Sequence, residues 1–215
     1  MTYDPPHMRG SGPELLLAKK QAKNRTPNFH FFDLTRGYVG GEDKLTKKSG
    51  CYLGKLRANA KHTENVLFGA QSDKTELATI VFMRPPLASQ LKEGVHPRRM
   101  AVVLPPPPAP DGTPANRAGD ALVDMLAKPD RMKAEGYSSL ESKEPVLQNG
   151  NYRLDFKGRV TVPSVKNFQL VIEGRQQDDV ICQFGKVGDD EFHLDFKAPL
   201  NPFQAFALAV AHFNF

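Results

Sequence analysis

Lys55, Arg57 and Asn59 occupy alternate positions in the run CYLGKLRAN, Cys51 to Asn59. On an extended strand, alternate side chains leave the same face about 6 to 7 Å apart. That spacing suits a polyphosphate: a guanidinium fork can grip one phosphate through two parallel hydrogen bonds while an ammonium acts as a point charge on its neighbour. Charge-assisted bonds of this kind are worth roughly 1.5 to 3 kcal/mol each when formed. The solvated face of an edge strand has the same alternation, and spacing alone does not choose between the two.

Other chemistry finds little support. The six histidines, His7, His30, His62, His96, His193 and His212, show no i, i+4 pair, no HExxH and no Cys/His ligand spacing, which argues against a metal centre. Gly185-Lys186 lacks the rest of a phosphate-binding loop. Asp189, Asp190 and Glu191 lack the ligand spacing of a calcium loop and read as a hairpin turn. No Ser/His/Asp or Cys/His set has a recognisable nucleophile context, so the expectation is a protein that is not an enzyme and uses no cofactor. Cys51 and Cys182 read as reduced core or strand cysteines.

The elements that must position these residues are mostly short strands. Runs rich in β-branched or aromatic residues, many alternating with period two, cover Asn28 to Leu34, Cys51 to Arg57, Glu76 to Arg84, Arg99 to Leu104, Tyr152 to Phe156, Arg159 to Val162, Val165 to Glu173, Val180 to Val187 and Glu191 to Phe196. Many short strands between turn signals predict a sandwich or barrel. Val187 to Glu191, with Gly188, Asp189 and Asp190, predicts a hairpin. Gly37 to Gly50 and the proline-rich Pro105 to Asp120 read as loops, with a short helix or helical turn near Asp120 to Lys128. The chain ends in a helix that Asn201 can cap, with Pro202 at its first position and Gln204 completing a capping box. From Phe203 to Phe213 almost every residue is apolar on all sides, so this helix must be enclosed. About 18 Å of helix cannot cross a bilayer, so the remaining enclosure is the protein itself.

With 215 residues and 40% apolar content, the chain can form one domain with a sizeable core. It shows neither a long apolar span nor a signal-peptide pattern, and the expectation is a cytoplasmic protein. Its net charge of +5 is uneven. Residues 1 to 61 hold 12 Lys/Arg against 5 Asp/Glu (+7), and residues 62 to 215 hold 17 against 19 (−2). That asymmetry points to an anionic partner, a phosphoinositide headgroup or a nucleic acid.

Three C-terminal segments, GRVTVPSVKNFQ (Gly158 to Gln169), VICQFGKV (Val180 to Val187) and PLNPFQAFALAVAHF (Pro199 to Phe213), resemble in order and spacing the signature of the Tubby-like domain. CYLGKLRAN is similar to the family's SYxGKLRSN, Arg99 to Pro105 (RMAVVLP) to its RKMSVIVP, and Leu15 to Phe32 to its FLLAGRK segment. The resemblance implies a mainly β fold. In it an antiparallel β-barrel, of twelve strands in the family, encloses the hydrophobic C-terminal helix. The family's opening strand is expected to be missing, residues 1 to 13 being an irregular segment and 14 to 215 the Tubby-like domain.

The resemblance also assigns roles. In the family, the Lys and Arg of the KLR motif bind the 4- and 5-phosphates of phosphatidylinositol 4,5-bisphosphate, which implies those roles for Lys55 and Arg57. Asn28 matches a family Asn on the preceding strand, and Lys74 a basic residue before an ELA strand, where animal members generally have Arg. The implied protein is a monomeric adaptor, peripheral on the cytosolic face of the plasma membrane, that acts in signalling or in membrane or ciliary trafficking with protein partners. A nucleic-acid-binding regulator in the nucleus and a degenerate protein-interaction scaffold are the alternatives. Two departures bear on the site: Glu64 stands where the family has Lys, which weakens the local positive field, and Ala58 replaces Ser and is expected to point inward.

Overall fold

The computed structural model describes residues 15–36, 44–71, 75–83, 98–109, 121–148, 151–175 and 178–215. Its strands are β1 (Leu16–Lys20), β2 (Asn28–Asp33), β3 (Tyr52–Ala58), β4 (Glu64–Gly69), β5 (Glu76–Met83), β6 (Arg99–Leu104), β7 (Ser138–Ser142), β8 (Val146–Gln148), β9 (Asn151–Arg153), β10 (Phe168–Ile172), β11 (Val180–Gly188) and β12 (Glu191–Phe196). Two helices, α1 (Pro129–Ala134) and α2 (Pro202–Asn214), and a 3-10 turn at Leu122–Ala127 complete the described elements. Ten strands form one antiparallel sheet in the order β1-β2-β3-β4-β5-β6-β7-β10-β11-β12, and β8 pairs with β9 apart from it.

One face of this sheet is curled around α2. The inward residues Phe31, Leu56, Leu67, Ile80, Val102, Leu140, Leu170 and Phe184 form a single cluster with Phe206, Leu208 and the helix alanines. Every residue from Gln204 to His212 is buried, as an all-round apolar helix requires. The helix starts as its local sequence dictates: the Asn201 side chain accepts from the Gln204 N–H at 2.9 Å, and the Asn201 N–H donates to Gln204 Oε1 at 3.1 Å. Gln204 Nε2 also donates to the Leu77 carbonyl at 2.8 Å, tying the helix start to β5. The helix contacts both end strands, β1 and β12, but no ladder joins those two among the described residues.

Several sequence expectations need correction. Leu16–Lys20, Glu64–Gly69 and Ser138–Ser142 are strands that lack clean alternation, so periodicity does not reveal them. Tyr152 to Phe156 contracts to β9, and Val165 to Glu173 to β10. Arg159 to Val162 is not a strand. Lys157 and Gly158 both take positive φ, and the chain then crosses the outer face of β11 instead of pairing along it. Val160 lies over Gly185 so closely that a Cβ there would stand 2.3 Å from Val160 Cγ2. The hairpin is as expected, with Asp190 at φ 57°. Residues 105–109 carry no regular structure, and the rest of that loop, residues 37–43 of the Gly37 to Gly50 loop and the opening segment lie outside the described residues.

Candidate anion-binding site

β3 is an interior strand, paired with β2 on one side and β4 on the other, so Lys55 and Arg57 do not belong to an edge. Across β2, Asn28 lies opposite Arg57 and His30 opposite Lys55. Across β4, Val66 lies opposite Arg57 and Phe68 opposite Lys55. Directly opposed residues share a face. Here it is the outer one, because Phe31, Leu56 and Leu67 fill the core from the intervening positions.

Gly54 lets this part of the sheet close on the helix. Its φ is +153°, and a Cβ would meet the Phe68 carbonyl oxygen at 2.0 Å and the Phe203 ring at 3.1 Å. A side chain there would push β3 away from both neighbours.

The two cations differ sharply in environment. Lys55 is only 6% exposed, with its ammonium 5.3 Å from the centroid of the Phe68 ring, whereas Arg57 is exposed. The lysine stem is therefore part of the packing, and its head sits over an aromatic face that favours a cation. Asn28 is partly buried, and its Oδ1 has no hydrogen-bond partner among the described residues. An orphaned buried acceptor costs about 1 to 3 kcal/mol, a cost expected where a residue serves something other than stability.

Asn59 has a different duty. Its Oδ1 accepts from the N–H groups of Thr63 and Glu64 at 3.0 and 3.3 Å, and its Nδ2 donates to Thr63 Oγ1 at 3.3 Å. Its amide is committed to the β3–β4 turn, where it positions the strand that carries Arg57. Lys74 lies outside the described residues. Ala58 is buried, as expected of an inward position.

Charge on this face is graded. Glu64 lies on β4 diagonally from Arg57. Beyond it, Glu76 accepts from the Leu122 N–H at 2.7 Å and from Thr79 Oγ1 at 3.1 Å, which pins the 3-10 turn to β5. Burial raises the Glu76 carboxyl above its ordinary range, as do the charges of Glu64 and Asp124, against those two hydrogen bonds. At the opposite end, Lys19 on β1 lies opposite His30. Sequence reasoning missed Lys19, His30 and Phe68 as site neighbours. Lys19 and Phe68 would have required recognition of β1 and β4 as strands, with their registers, whereas alternation from Asn28 along the expected strand Asn28 to Leu34 would have marked His30.

The residues that carry most of the C-terminal resemblance are structural. Asn167 Nδ2 donates to the Val162 carbonyl at 2.9 Å, and its Oδ1 accepts from the Lys186 N–H at 2.8 Å. Gln169 Nε2 donates to the Asp155 carbonyl and to Gln183, and Gln183 donates to Asp195. Arg159 grips Asp195 through two bonds of 2.9 and 2.7 Å. Partial burial opposes ionisation of Asp195, but the bonds from Arg159 and Gln183 and the guanidinium charge outweigh it and hold the carboxyl below its usual range. Together these contacts fasten the segment before β10 onto the outer face of β10 to β12.

Comparison with known proteins agrees with this architecture. The profile of the Tub family matches residues 4–215. The chain is 33% identical to human Tubby-related protein 1 over 210 residues, covering 93% of this chain and 37% of that protein. Mouse Tubby-related protein 3 is 32% identical over 212 residues, with coverage of 93% and 44%. Tubby protein homolog 1 of Caenorhabditis elegans is 30% identical over 214 residues, with coverage of 93% and 48%. The chain thus spans between about a third and a half of the length of these relatives.

Proposed function

This chain belongs to the Tub family, and from that premise we propose that the outer face of β2 and β3 binds the headgroup of phosphatidylinositol 4,5-bisphosphate, docking a non-enzymatic adaptor on the cytosolic leaflet of a membrane. The observation that carries this reading is the placement of exposed Arg57 directly opposite Asn28 and two residues from Lys55 on one face. Arg57 supplies a fork for one phosphate, Lys55 a point charge for its neighbour, and Lys74, two residues before Glu76 in the sequence, a further cation. Work in signalling or in membrane and ciliary trafficking is the role this reading gives the adaptor. Family membership also supports a closed barrel, in which a further strand would join β12 to β1.

Sedimentation with vesicles tests the binding. Vesicles carry phosphatidylinositol 4,5-bisphosphate, a monophosphate, or phosphatidylserine at matched charge, with duplex DNA as competitor. Arg57→Ala should weaken bisphosphate binding about tenfold, the value of one charge-assisted contact at an exposed site. Lys55→Met keeps the buried stem while removing the charge, and should act in the same direction. Wild-type binding that is equal on bisphosphate and phosphatidylserine would reject the pocket in favour of a diffuse basic patch. Displacement by DNA at equal charge would favour the nucleic-acid reading. Glu64 beside Arg57 is the observation that favours an interaction scaffold without lipid affinity, and no binding to any vesicle would support that reading instead.

A further inference from the structure

We propose that Lys19 and His30 extend this site across β2 and β1 into a third phosphate subsite, so that the preferred ligand presents three phosphoryl groups; this rests on the reading of the outer face as a headgroup site. The ladder registers carry the argument. Lys19 lies opposite His30, and His30 opposite Lys55, so the three form one row across β1, β2 and β3. The ends of that row are two strand spacings apart, about 9 to 10 Å, within reach of two long lysine stems around one polyphosphate. Arg57 stands beside the row on the same strand as Lys55, which makes the cationic array L-shaped rather than linear.

Three features make the Lys19 arm more than a scattered surface charge. Gln21 closes the β1–β2 connection, its N–H donating to the Asn28 carbonyl at 2.8 Å and its side chain to the Lys19 carbonyl at 3.1 Å, so the strand end bearing Lys19 is held in place. The His30 ring stands edge-on to Tyr52, with centroids 5.6 Å apart at 75°. Leu17, Phe32 and Tyr52 belong to one apolar cluster with Leu45 and Cys51, which walls the row along its far side.

The charge gradient gives the array a direction. Glu64 and Glu76 lie on β4 and β5, on the opposite side of Arg57 and Lys55 from β1. A ring whose two phosphates engage Lys55 and Arg57 therefore has the carboxylates of β4 and β5 on one side and Lys19 on the other. The third group can be the phosphodiester that links the ring to its lipid or an additional monoester on the ring. Both present the same chemistry to Lys19.

Calorimetric titration of the whole chain with soluble inositol 4,5-bisphosphate, inositol 1,4,5-trisphosphate and inositol 3,4,5-trisphosphate separates these sources. At least one trisphosphate should bind about 5- to 10-fold more tightly than the bisphosphate, the gain expected from one partly exposed cation. The 1-phosphate arm reports the phosphodiester position and the 3-phosphate arm the monoester. Lys19→Gln should bring the trisphosphate to within twofold of the bisphosphate, and Lys19→Arg should keep the gap. A gap that survives Lys19→Gln, an equal loss for all three ligands, or no gap in the wild type would each overturn the subsite. Absence of bisphosphate binding in the wild type would instead sink the headgroup reading itself.

Discussion

His212 gives the sharpest test of how this core is built. It lies in the last turns of α2 at 1% exposure, its ring 4.7 Å from that of Phe168 and 5.9 Å from that of Phe82, and neither ring nitrogen has a full hydrogen bond among the described residues. The Val165 backbone favours the proton slightly but is too poorly placed to satisfy the ring. Burial disfavours the imidazolium, the charges of Arg98 and Lys166 add to that effect, and the pKa falls from 6.5 to about 3. The unfolded chain therefore takes up the proton first. Stability is greatest above pH 6.5 and declines as pH drops below it, by up to about 1.4 kcal/mol per unit. Between pH 7 and pH 5 the loss from this one group is about 2 kcal/mol. His212→Phe keeps the aromatic shape and abolishes the titration. Urea unfolding of both proteins at pH 7 and pH 5 should show the wild type losing about 2 kcal/mol more than the variant. The variant should also be the more stable at pH 7, since two orphaned nitrogens disappear. Equal pH slopes in the two proteins, or an NMR titration of His212 near pH 6.5, would refute the reasoning.

Two further outcomes follow from the packing. Phe206→Ala or Leu208→Ala, at fully enclosed helix positions, should each lower unfolding free energy by about 2 to 5 kcal/mol in denaturant titrations. Gly185→Ala should destabilise by about 1 to 3 kcal/mol through collision with Val160. The double variant Gly185→Ala/Val160→Ala should recover part of that loss, and a single variant as stable as wild type would contradict the crossing of this segment over β11.

What the sequence could determine alone is what local chemistry encodes. The capping box at Asn201 and Gln204, the helix apolar on every side and the Gly-Asp-Asp hairpin all depend on neighbours a few residues apart. Alternation likewise put Lys55 and Arg57 on the face opposite Leu56, as observed. The tertiary structure decided which strands flank them. A pairing register depends on residues distant in sequence, and a slip of one residue would turn every side chain to the other face. Thus the exposure of Lys55, which alternation implies for both cations, is cancelled by Phe68 and the strands on either side. Asn59, a third ligand by spacing, is drawn into a turn by the Thr63 and Glu64 amides. Lys19, in a run with no alternation to mark it, reaches the site only because β1 pairs with β2 so that it faces His30. Periodicity specifies a residue's face, but only long-range pairing specifies its company there.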